Sequence, residues 1–194
     1  FTVKKKYSKQ TKLIQSDFNR SNFNETSEAL FLTSGFIYRS AEEAEACFLE
    51  KKKKFMYSRF SNPTIETFEK KMAELEGAES CLATSTGMSA VFSIFMSQLK
   101  SGDRLVSSKA LFGSCHYIIT KILPNFGINV VMVDGQDNDQ WKEALKVKTK
   151  LVFFETPSNP CLDLVDIKSV SMMAHKVGAK VIVDNVFATP INQK

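Results

Sequence analysis

Asp184 closes the run Val181–Asp184, in which three β-branched residues lead straight into an acid. Such a run reads as a strand buried on both faces of a parallel sheet, and the carboxyl end of such a strand is where open α/β sheets bind ligands. A buried carboxylate needs a partner. A protonated ring nitrogen would serve, and so would the backbone of a following turn. The stretch Ala83–Ala90 (ATSTGMSA) has the makings of an anion site. Thr86, Gly87 and Met88 stand where a strand gives way to a helix, so that backbone N–H groups and the positive end of the helix dipole face outward, with Gly87 allowing close approach. It is neither a P-loop nor a G-x-G-x-x-G turn.

Three further positions add to this chemistry. Arg59, beside Tyr57 in YSRFSNPT, can grip two phosphate oxygens with its guanidinium, or can be an ordinary surface arginine. Phe112 in LFGS can lie flat on a cofactor ring or simply pack in the core. Asn159 in ETPSNP offers an amide to a ring hydroxyl or a carboxylate, or merely occupies a proline-defined turn.

The elements that must position these residues alternate. A helix is expected over Ser40–Lys51, with Ser40 as cap and Glu43 completing a capping box. A second is expected over Thr64–Glu76, with Pro63 in its first turn and Gly77 ending it. Strands are expected at Ser80–Thr84, Leu105–Ser107, Ile128–Val133, Leu151–Glu155 and Val181–Asp184. Helices intervene within Ser85–Lys100, Gly113–Leu123, Asp139–Val147 (Asp139 as N-cap) and Asp166–Val177. This alternation predicts an α/β fold, a mostly parallel sheet with helices on both faces. Residues 1–38 show no steady period and read as an extended arm that gains order by packing on something else. The expected division is 1–60 as arm, helix and clamp loop, and 61–194 as the first part of the α/β domain. Because the chain stops just after its strongest strand, it reads as the N-terminal part of a longer protein.

Composition bounds the rest. The 194 residues suffice for one sizeable core, with 43% hydrophobic and 24% charged residues as in ordinary globular proteins. The net charge of +5 gathers at Lys4, Lys5, Lys6, Lys9 and Lys12 and at Lys51–Lys54. Neither cluster belongs to a nucleic-acid module, so both read as solvated, with no nucleic-acid or membrane partner. Cys47, Cys81, Cys115 and Cys161 lack zinc-ligand spacing and read as reduced packing residues. With only His116 and His175 besides, no metal site is expected. No leader-type apolar segment follows the basic start, and a cytoplasmic location is the default expectation.

Taken together and in order, YSRFSNPT, STGM, LFGS, ETPSNP and VDNVFATP resemble the cystathionine γ-synthase-like family of pyridoxal 5′-phosphate (PLP) enzymes of cysteine and methionine metabolism. The resemblance implies the large domain of a fold-type I PLP-dependent transferase. It implies PLP held by Tyr57 and Arg59 (serving a neighbouring subunit's phosphate), Thr86, Gly87, Met88, Phe112 (stacked on the ring), Asn159 and Asp184 (on the ring nitrogen). Asp184 and Phe112 stand nearest the chemistry. The chain departs from the family at Val186, where many members have Thr, and at Phe112, where γ-lyases usually have Tyr. The Schiff-base lysine is expected beyond Lys194, so this chain alone is expected to be inactive. The implied reaction is γ-replacement on O-succinylhomoserine by sulfide, within a homo-oligomer, a dimer of dimers with shared active sites. A cystathionine γ-synthase or γ-lyase activity is the alternative, and a non-catalytic remnant binding a phosphate ligand or a subunit is a second.

Overall fold

The computed structural model describes residues 8, 11, 13, 14 and 20–194. The lysines at 4, 5, 6, 9 and 12 lie outside them. The chain forms two compact units, Phe1–Ala83 and Thr84–Lys194.

The second unit is built on a four-stranded, wholly parallel sheet. Its strands are β1 (Arg104–Ser108), β2 (Asn129–Val133), β3 (Leu151–Glu155) and β4 (Lys180–Asp184), in the spatial order β2-β1-β3-β4. Side chains alternate along each strand and so divide the core in two. Leu105, Leu151 and Phe153 face one side, where they meet Phe95, Cys115, Ile119 and Leu123. Val106, Val152 and Phe154 face the other, where they meet Trp141, Val170 and Ala174. Edge-to-face ring pairs anchor both layers, Phe95 with Phe153 at 5.0 Å and Trp141 with Phe154 at 5.9 Å between centroids. Each such buried aromatic contributes about 1.5–3 kcal/mol by removal from water.

The layers consist of α3 (Gly87–Gln98) and α4 (Gly113–Tyr117) on the first side, and α5 (Asn138–Ala144) and α6 (Ile167–Lys176) on the second. A short helix, α7 (Thr189–Asn192), follows β4. Gly135 lets the β2–α5 turn sit tightly. A Cβ there would meet Val165 Cγ2 at 2.9 Å and Ser108 Cβ at 3.1 Å, and the Gly135 carbonyl accepts the Trp141 indole N–H at 3.0 Å.

Local chemistry departs from the sequence reading in four places. Ser80–Thr84 is not a strand: a strand exists only with a ladder partner, and none of the four strands pairs with it. The cap of α5 is Asp137 rather than Asp139, because the Asp137 carboxylate reaches the N–H groups of both Asp139 and Gln140. The helix expected to Leu123 is α-helical only to Tyr117, then turns through a π segment (Ile118–Ile122) and a 3-10 turn ending at Gly127. β4 is half-buried rather than buried on both faces, since it lies at the edge of the sheet. β3 is the strand buried throughout.

The first unit holds α1 (Ala41–Phe48) and α2 (Pro63–Glu76), with a single bridge between Gly35 and Tyr57. Among its described residues only Cys47, Asn62 and Pro63 are buried, so polar contacts set its form. Asn62 caps α2 by accepting the Thr64 N–H at 2.8 Å and also donates to the Phe31 carbonyl at 2.9 Å. Glu43 accepts the Arg39 N–H at 2.6 Å and pairs with Lys52 at 2.6 Å and Lys54 at 3.0 Å. Two of the four clustered lysines are thereby held by one carboxylate. Among the described residues no helix is long and apolar enough to cross a membrane.

The two lysines and the Arg39 N–H, the Lys52 contact foremost, hold the Glu43 carboxyl at about 2, below its ordinary 4.5. A lowered acid contributes its contacts above its unfolded value and loses them as pH falls through the folded one. Anchoring of residues 51–54 should therefore persist at pH 4.5 and disappear toward pH 2. Carboxyl-resolved NMR titration checks this, and a Glu43 midpoint near the ordinary value would refute it.

Candidate functional site

The strand order fixes where a ligand can enter. From β1 the chain crosses to β2 on one side of the sheet. From β3 it crosses to β4 on the other. The order reverses between β1 and β3, and a crevice opens at the carboxyl ends of strands at such a point. The ladders record it. β1 and β2 stay paired to Ser108↔Val133, and β3 and β4 to Glu155↔Asp184, but β1 and β3 are paired only to Ser107↔Phe153.

Phe112, Asn159 and Asp184 stand at this edge. Phe112 follows β1 as the residue before α4 and is 42% exposed, so part of its ring is open to a ligand. Asn159 follows β3. Asp184 ends β4, on the same face of the sheet as Glu155, its register partner. Asp184 Oδ1 accepts the Val186 N–H at 3.1 Å, which is the turn-capping role. Among the described residues no hydrogen bond engages its second oxygen. Val186 itself is exposed.

Thr86 caps α3, its hydroxyl accepting the Ser89 N–H at 3.0 Å. Helix geometry gives the N–H groups of Gly87 and Met88 no acceptor within the helix, and a Cβ placed on Gly87 would meet nothing within 4 Å. That space suits an anion. Met88 Sδ lies 4.0 Å from Cys115 Sγ. Cys115 is buried, and that burial, reinforced by the charges of Asp184 and Glu155, pushes its thiol up to about 11.

Tyr57 and Arg59 belong to the first unit. The Arg59 guanidinium stacks on the Tyr57 ring at 5.1 Å and on the Phe60 ring at 5.3 Å. Among the described residues it makes no salt bridge, which keeps its donors available.

Glu155 escaped the sequence reading as a functional residue. It is 4% exposed. One oxygen accepts the Phe112 N–H at 2.5 Å and the other the Asn159 N–H at 3.0 Å. Burial raises its carboxyl above the ordinary value, the Phe112 N–H opposes this, and the Asp184 charge adds to it. The signal was available in phase: Glu155 lies two residues beyond Phe153 on the same face, at the end of a continuously apolar strand.

A parallel sheet with helices on both faces matches the solved structures of fold-type I PLP-dependent enzymes. The chain belongs to the Cys/Met metabolism PLP-dependent enzyme family, which it matches over residues 10–194. It is 51% identical over 175 residues to O-succinylhomoserine sulfhydrylase of Mycobacterium tuberculosis, covering 90% of this chain and 43% of that protein. It is 39% identical over 191 residues to L-methionine gamma-lyase of Fusobacterium nucleatum subsp. polymorphum, covering 98% and 48%. Among solved structures, a Campylobacter jejuni protein described as an O-acetylhomoserine (thiol)-lyase, carrying N′-pyridoxyl-lysine-5′-monophosphate, superposes with a TM-score of 0.88 at 29% identity, covering 95% and 46%. The chain thus spans about half the length of the relatives it matches.

The residues present fit the cofactor: a vacant space over Gly87 for a phosphate, a half-open aromatic ring, and an uncommitted carboxylate oxygen for a cationic nitrogen.

Cys115 provides a test of this packing. Buried and held as the thiol, it should resist iodoacetamide at pH 8 in the native protein and react only once denaturant opens the core. Mass-spectrometric mapping of labelled cysteines checks this, and rapid native labelling at Cys115 would contradict it.

Proposed function

We propose that the complete protein is an O-succinylhomoserine sulfhydrylase, replacing the succinyloxy group at Cγ of O-succinylhomoserine by sulfide to give homocysteine and succinate. The observation that carries this reading is the higher identity to the sulfhydrylase than to the γ-lyase, over a crevice whose residues suit PLP. When bound, PLP supplies an electron sink that stabilises carbanions in the substrate.

The chain's own residues have separate tasks in this reading. Thr86 fixes the start of α3, so that the Gly87 and Met88 N–H groups point at the phosphate. Tyr57 and Arg59 complete the phosphate grip for a neighbouring subunit in a homo-oligomeric dimer of dimers. Phe112 lies against the ring face and excludes water from it. Asn159 donates to the ring hydroxyl or the substrate carboxylate. The free oxygen of Asp184 holds a proton at the ring nitrogen, which keeps the ring charged.

The complete protein supplied with PLP, O-succinylhomoserine and sulfide should release homocysteine and succinate in equal amounts. Release of 2-oxobutanoate from methionine at a higher kcat/KM would make it a γ-lyase instead. Failure to develop a visible absorption band with PLP would support a non-catalytic binding role.

Phe112 bears on the choice between replacement and elimination. A phenol donates or accepts a proton near the leaving group, and a phenyl ring cannot. Phe112→Tyr should raise 2-oxobutanoate release from O-succinylhomoserine in the absence of sulfide, measured against homocysteine formed in its presence. An unchanged ratio would reduce Phe112 to a space-filling role.

A further inference from the structure

Glu155 is costly for the fold, and its position raises the question of what it is for. It follows Leu151 and Phe153 on one buried face of β3, where an apolar side chain would pack without desolvating a charge. Among the described residues it has no salt bridge. Its register neighbour is another acid, Asp184, and like charges side by side disfavour ionisation. The donors that compensate it are two backbone N–H groups, those of Phe112 and Asn159. These belong to the two loops that border the crevice, one after β1 and one after β3. The β1–β3 ladder has already ended at Ser107↔Phe153, and among the described residues Glu155 supplies the hydrogen bond that joins the Phe112 loop to β3 beyond that point.

We infer that Glu155 is a positioning residue: its two carboxylate oxygens hold the Phe112 ring and the Asn159 amide at a fixed separation across the crevice, and so set the plane in which the PLP ring lies. This rests on the reading that PLP occupies the crevice. Both oxygens of Glu155 are taken by the Phe112 and Asn159 N–H groups, so it acts through the two residues it holds. A carboxylate suits the task because both its oxygens accept. A carboxamide in its place would turn an NH2 group toward one of the two N–H donors and lose that contact.

The test uses the complete protein with PLP. Glu155→Gln should weaken PLP binding roughly tenfold, as expected for the loss of one charge-assisted hydrogen bond, and should diminish the visible circular dichroism of the bound cofactor. Folding without cofactor is checked by thermal melt. In a Phe112→Ala/Asn159→Ala background the same substitution should change affinity less than about twofold, because the side chains it positions are gone. An equal loss of affinity in both backgrounds would overturn the inference, as would unchanged affinity and dichroism in a folded Glu155→Gln protein. Should that variant fail to fold, amide hydrogen exchange in the unsubstituted protein decides. Protection of the Phe112 and Asn159 amides comparable to that within β3 supports the tether, and exchange at open-loop rates in protein that binds PLP refutes it. No visible band with PLP in the unsubstituted protein would instead defeat the cofactor reading itself.

Discussion

Strands β1 and β3 run together for a few residues and then separate, and the site depends on that separation. Parallel strands hold their spacing through evenly placed hydrogen bonds. Where pairing stops at Ser107↔Phe153, the chains leaving the two strands diverge, and a ligand can enter between them. The aromatic layers below keep the parting local. Phe153 is clamped by Phe95 on one face and Phe154 by Trp141 on the other, so the sheet stays closed up to the Ser107↔Phe153 pair. The crevice therefore has a rigid floor, and its walls are short loops tied to strand ends.

The elements that could be read from the sequence are those whose determinants are local. The cap at Ser40, the left-handed ends at Gly77 and Gly178, and the apolar runs of β2 and β3 stand where side-chain chemistry puts them. The misreadings share a cause: each needed knowledge of a neighbour. Ser80–Thr84 has strand-like composition, but composition does not supply a ladder partner. Asp137 and Asp139 are both competent caps, and the choice falls to the one whose carboxylate reaches two N–H groups. Phe112, Asn159 and Asp184 could be found because each stands at or just beyond the end of a strand. Glu155 was passed over because its buried oxygens bond backbone N–H groups of two loops, which composition does not announce.

The first unit rests on a different balance. With few buried side chains among its described residues, it relies on polar groups that each serve more than one partner. Asn62 is both helix cap and tether to the segment at Phe31. Glu43 is both part of the α1 start and anchor for two lysines. Multiple use of one side chain gives geometric definition where apolar burial supplies little, and it also makes such a region responsive to pH and salt.

The π segment at Ile118–Ile122 bears on how this fold tolerates change in chain length. A π turn is an α-helix that has accommodated a surplus residue. The helical stretches on either side keep their facing, so Cys115 and Leu123 both remain in the core. Deleting one residue within the turn would restore a regular helix and leave both neighbours where they are. The same deletion inside α6 would rotate every later side chain by roughly 100° and turn Ala174 out of its layer. Between Phe112 and β2, then, the chain has one residue of slack, and a version of this connection one residue shorter can form without displacing the aromatic ring at its start.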